Sequence, residues 1–110
     1  MTGTRAAIRY AKAVLSVATD NQTSEKIQLE MDQIAHAIVS NPALNEALKS
    51  PIVKLSEKVA ILDKVFNSFS AEVKSLFQTL AQNKRIDLLG EISLQYKQLY
   101  DQLNNKEEAT

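Results

Sequence analysis

The groups in this sequence that could do acid–base, metal or phosphate chemistry are few and scattered. Its one histidine, His36, has Asp32 one helical turn before it, a pairing that in a protected site could orient an imidazole as a base. The surrounding periodicity turns both away from Ile27, Met31, Ile34 and Ile38 and into water. Zinc needs several His, Cys or carboxylate donors converging on one point, and the chain has no cysteine and no second histidine. Asp87 with Glu91 and Glu107 with Glu108 lie on solvated faces or in the tail, where nothing separates two carboxyl pKa values as an acid and base pair requires. Gly3 and Gly90 are too far apart to form a phosphate-cradling loop. The local cations, Arg5, Arg9 and Lys12 with Lys84 and Arg85, lack the interleaved aromatic residues of a single-strand binder. Thirteen basic against thirteen acidic side chains give no net charge, hence no bulk attraction to nucleic acid or an anionic membrane. The residues therefore predict a non-enzyme with no catalytic, cofactor-binding or metal-binding residues and no nucleic-acid partner.

What would position such groups is a set of helices. Two glycines and two prolines punctuate 110 residues, and Ala, Leu, Lys, Glu and Gln, all good helix formers, dominate the rest. Six segments follow. The first runs from about Thr4 to Thr19 and stops in the polar turn Asp20, Asn21, Gln22. The second opens at Thr23 or Ser24 as N-cap, aligns Ile27, Met31, Ile34 and Ile38, and ends at Ser40 and Asn41. Pro42 starts a short third helix through Leu44 and Leu48 that Pro51 closes. A fourth aligns Leu55, Val59, Leu62 and Phe66. Ser70 caps a fifth that buries Val73, Leu76, Phe77 and Leu80. The sixth carries Leu89, Ile92, Tyr96, Leu99 and Leu103, then dissolves into Asn104 to Glu108. The reading is all-α: a single-domain six-helix bundle over residues 1–105, consecutive helices packed antiparallel or nearly so, with 106–110 a tail or the start of a linker.

The first helix has more apolar surface than one core can use. Arg5, Arg9, Lys12, Ser16 and Thr19 occupy roughly a 100° arc, and apolar residues fill about 220° more, whereas a surface helix needs a stripe little over 100° wide. The cationic, acid-free start resembles an organellar transit peptide in charge, but its apolar arc is too wide for a disposable presequence. No run is long and apolar enough to span a membrane. Surplus apolar surface marks a protein interaction site, and in a helical bundle its natural form is a groove for an amphipathic helix.

The residues also resemble a known family. "RYAKAVLSVA" (Arg9 to Ala18) is similar to the opening motif of the delta subunit of F-type ATP synthases, called the oligomycin-sensitivity-conferring protein in mitochondria. "NPALNEALKSP", with Lys58 downstream, resembles that family's Asn-Pro and Ser-Pro segment. "LAQNKRIDLL" (Leu80 to Leu89) resembles the stretch joining its fifth and sixth helices. Lys84 stands where the family often has glycine, which puts a left-handed helix terminus there in question.

The resemblance implies a six-helix amino-terminal domain, a non-catalytic stator element of the peripheral stalk in proton-driven or sodium-driven ATP synthesis, and no cofactor. It implies that a groove between the first and fifth helices receives the amino-terminal helix of an alpha subunit. A carboxy-terminal domain, absent from this sequence, would bind the b subunit of the peripheral stalk. Membrane association would be indirect, on the cytoplasmic face of a bacterial inner membrane or the matrix or stromal side in an organelle. On the first helix we assign Ile8, Ala11 and Leu15 to the core and Ala6, Tyr10, Ala13 and Val17 to the groove, facing Leu76, Thr79, Leu80 and Asn83 of the fifth. The alternative is a generic helical adaptor that binds an amphipathic helix of an unrelated partner.

Overall fold

The punctuation of the sequence becomes six α-helices in the computed structural model, which describes residues 4–108. They are α1 (Thr4–Asp20), α2 (Ser24–Ser40), α3 (Pro42–Lys49), α4 (Leu55–Val65), α5 (Ala71–Gln82) and α6 (Leu89–Glu108), with a 3-10 turn at Ile86–Leu88 before α6. Among the described residues there is no strand. Helix α6 runs through Glu108 and so takes in part of the stretch read as a tail; residues 109 and 110 lie outside the described residues.

The apolar stripes meet in one core. All four residues named for α5 are buried, as are Ile27, Met31 and Ile34 of α2, Val59, Leu62 and Phe66 around α4, and Leu89, Ile92 and Tyr96 of α6. Leu103 is exposed instead. Phe77 lies at the centre, its ring 6.2 Å from that of Phe66, which stacks on Phe69 at 4.8 Å. Tyr96 is also fully buried. Its hydroxyl donates to the Ser24 carbonyl at 2.9 Å, so its polar tip is satisfied, and burial holds the phenol protonated far above its ordinary range.

Sequence neighbours are not the main spatial neighbours. Helix α6 packs along both α1 and α2, and α1 touches α2 far less than it touches α6, although α4 does lie on α5. The α1 side chains in the core explain the arrangement. Ala7, Ala11, Val14 and Ala18 are buried, and three alanines on one line keep that side of the helix small enough for α6 to approach closely. Ile8 and Leu15, read as core, are only partly buried. The core face is thus turned toward Val14 by less than one residue step, because the helices that cover α1 sit on either side of that line.

Two helix ends depart from local expectation. After α1, Gln22 has φ 60, and after α5, Lys84 has φ 57. Both lie in the left-handed region, and both are followed by the paired bonds that close a helix end there: Thr23 N–H to Ala18 O (2.8 Å) with Gln22 N–H to Thr19 O (3.1 Å), and Arg85 N–H to Leu80 O (2.8 Å) with Lys84 N–H to Ala81 O (3.1 Å). Lys84 therefore takes the conformation that glycine favours without being glycine. Lys84→Gly should raise stability by about 0.5–1 kcal/mol, since relief of the left-handed strain exceeds the extra chain entropy lost on folding. A thermal melt of the variant checks this.

Other starts are capped as the residue types suggest, or from further away. Asn41 Oδ1 accepts the Leu44 N–H at 3.3 Å, with Pro42 in the first turn of α3. Ser70 stands at the N-cap of α5 but makes no cap bond of its own. Its hydroxyl donates to Glu30 Oε1 at 2.7 Å, and its N–H donates to the same carboxylate at 3.0 Å to Oε2. A buried acid from α2 thus satisfies the start of α5.

Candidate functional site

Helices α1 and α5 run antiparallel, tied at both ends by side chains. At one end Asn83 Nδ2 donates to the Tyr10 hydroxyl at 2.8 Å. At the other, Asn21 Nδ2 donates to Glu72 Oε2 at 3.2 Å, and the Thr23 hydroxyl donates to the same oxygen at 3.0 Å. The left-handed Gln22 directs the chain so that Asn21 and Thr23 flank Glu72. Between these ties lies an open trough of about 550 Å³. Tyr10, Ala13, Val14 and Val17 form the α1 wall, and Ala71, Glu72, Ser75, Leu76 and Thr79 form the α5 wall, with Asn21 at the end.

The walls are apolar along the opening. Val17 is 48% exposed and Ala13 is exposed on the rim, while buried Leu76 and Val14 form the floor. The sequence placed Tyr10, Ala13, Val17, Leu76 and Thr79 at this opening, and the structure brings them together; Asn83 joins them through its bond to Tyr10. Two others lie elsewhere. Leu80 has no exposed surface and belongs to the core, and Ala6 is partly buried and does not line the trough. Sequence reasoning missed Glu72 and Ser75, although Glu72 precedes Leu76 and Ser75 precedes Thr79 by the four residues that place them on the same stripe.

Glu72 is the one carboxylate that lines the trough. A hydrogen bond from its own backbone N–H holds its carboxyl below the usual value of 4.5, helped by Asn21 and Thr23 and weakly by Lys26. The unfolded chain loses these donors, so the carboxylate contributes stability that is complete above about pH 4.5 and is lost as pH falls through the lower folded value. Glu72→Gln should flatten the loss of stability between neutral pH and acid relative to the parent, as followed by denaturant melts at stepped pH.

The trough offers no constellation for chemistry. Exposed His36 and Asp32 lie outside it, and Asp32 has Lys97 as an ion-pair partner at 3.9 Å. Among the described residues no three His, Asp or Glu gather as a metal site would need. None of the described helices is long and apolar enough to cross a membrane. What the site presents is shape and apolar surface between two helices.

Comparison with known proteins supplies the family. The family model described as ATP synthase delta (OSCP) subunit matches residues 6–110. The chain belongs to this family. It is 39% identical over 104 residues to the ATP synthase subunit delta of Flavobacterium psychrophilum, covering 94% of this chain and 59% of that protein. The corresponding subunit of Flavobacterium johnsoniae is 38% identical over 109 residues, covering 99% and 62%. A chain in the cryo-EM structure of the Toxoplasma gondii mitochondrial ATP synthase hexamer superposes with a TM-score of 0.76 at 25% identity, covering 82% of this chain and 51% of that one. The chain thus spans about three-fifths of the length of these two bacterial relatives. The segments that resemble the delta family frame the trough: "RYAKAVLSVA" supplies its α1 wall, and "LAQNKRIDLL" supplies the end of α5 with the left-handed Lys84.

Proposed function

We propose that this delta-family chain is the head-binding part of a peripheral-stalk subunit, and that its α1–α5 trough receives the amino-terminal helix of an alpha subunit. The role is mechanical. Rotor torque would turn the catalytic head unless a stator held it, and a holding joint needs slow dissociation under load rather than chemistry. An apolar helix in an apolar trough supplies that, because its burial is not weakened by salt. The single observation that carries the reading is the open apolar trough between two helices that are fixed to each other at both ends. The length of the relatives beyond this match would hold the segment that binds the b subunit, so that the protein meets the membrane only through the complex, on its cytoplasmic, matrix or stromal face.

Calorimetric titration with a synthetic peptide of the alpha-subunit amino terminus tests this. One peptide should bind per chain, gain helicity on binding, and lose no more than about threefold in affinity between low and moderate salt, since screening acts on exposed charges. A steep salt dependence would make Arg5, Arg9 and Lys12 the main contacts and overturn the trough. Equal affinity for unrelated amphipathic helices would favour a general adaptor.

A further inference from the structure

The two walls of the trough carry their charges in the same spatial order. On α1, Arg9 and Asp20 are both exposed; they differ by about 20° around the helix, lie about 16 Å apart along it, and sit within about 40° of trough-lining Ala13, just outside the lining itself. On α5, Glu72 lines the trough near the helix start, and exposed Lys84 and Arg85 follow the helix end. Because the helices are antiparallel, Arg9, Lys84 and Arg85 gather at the Tyr10–Asn83 end, and Asp20 and Glu72 at the Asn21 end. Lys26 near Glu72 and Asp87 beyond Arg85 offset these groups only in part. The backbone dipoles of the two walls oppose each other and largely cancel, which leaves the side chains to set the field along the trough.

We infer that the trough sets the direction of its occupant by charge. The occupant is an amphipathic helix with one basic and one acidic end, its basic end beside Asp20 and Glu72 and its acidic end beside Arg9, Lys84 and Arg85. This rests on the reading of the trough as a helix-binding site and adds the charge pattern and pose of the helix. Exposed charge pairs contribute little to affinity and are screened by salt, so apolar contact holds the helix and the end charges choose between its two directions. In the reversed pose attraction turns to repulsion at both ends, which favours the matched pose by about tenfold at low salt.

Two 16-residue peptides with one shared apolar stripe test it. One carries glutamates in its first turn and lysines in its last, the other the reverse, and each bears a nitroxide at its acidic end. Bound to the isotope-labelled chain at low salt, both labels should broaden the Tyr10 and Asn83 amide signals about tenfold more than those of Asn21 and Glu72, so the two peptides lie in opposite chain directions. In 0.5 M salt the two ends should broaden within about twofold of each other. The double variant Arg9→Glu with Asp20→Lys, both exposed positions, should erase or invert the low-salt preference, with helicity by circular dichroism confirming its fold. Both peptides lying in the same chain direction, or an acidic end at Asn21, would overturn the inference while leaving the trough as a binding site. Failure of both peptides to perturb any trough signal would overturn the binding site itself, and this inference with it.

Discussion

Phe77→Ala should lower the stability of the chain by about 3–5 kcal/mol, the range for deleting a fully buried phenylalanine side chain. Phe77 has no exposed surface, belongs to α5, and meets Phe66 at the end of α4, so the cavity opens where these elements join. Rigid helices on either side limit how far the site can collapse, which places the loss toward the upper part of that range. Against a typical total of about 5–15 kcal/mol for a domain, this is the largest single-residue effect on the fold expected here. A denaturant melt measures it, and a loss under 1 kcal/mol would mean that Phe77 is not a core anchor. Peptide affinity of the remaining folded fraction should change little, because Phe77 does not line the trough.

Ala13→Asp should do the opposite. Ala13 is exposed on the trough rim, so the free chain pays only the difference in helix propensity, at most about 0.7 kcal/mol. A visiting helix would bury the new carboxylate against apolar walls, which costs on the order of 2 kcal/mol or more of binding, roughly a thirtyfold loss in affinity. Circular dichroism and peptide titration on this one variant separate the two effects. A folded variant with parental affinity would exclude the proposed face.

The contrast between these two positions shows what was legible in the sequence. On α5 the periodicity marks Val73, Leu76 and Phe77 as core, and they are buried, because a helix covered mainly on one side buries the face its periodicity marks. Helix α1 was harder. Its apolar arc is wide enough to serve both a core and a trough, and the wheel cannot say where one ends, so it points Ile8 and Leu15 to the core that Ala7, Val14 and Ala18 occupy. Leu80 is ambiguous for a similar reason: its stripe marks it as core and its azimuth adjoins Leu76 at the opening, and the neighbouring helices close over it.

Polar tertiary contacts were less legible still. Ser70 and Thr23 looked like helix caps, yet both hydroxyls are drawn to distant carboxylates, Glu30 and Glu72, and a sequence shows local donors but not remote acceptors. Glu30 did leave a trace, since it stands three residues after Ile27 and four before Ile34 on an otherwise apolar stripe. The left-handed Lys84 follows from the paired bonds to Leu80 and Ala81, which offset the strain that its side chain alone would argue against.

The reading of the trough stands on where an alpha-subunit helix makes contact. Titrating the isotope-labelled chain with the alpha amino-terminal peptide, and following backbone amide shifts residue by residue, maps that contact. Saturable changes should centre on Tyr10, Ala13, Val17, Leu76 and Thr79, with exposed Glu46 of α3 and Ala60 of α4 unmoved. Saturable binding whose shifts centre on α3 or α4 and spare the trough, or no binding at all, would contradict it.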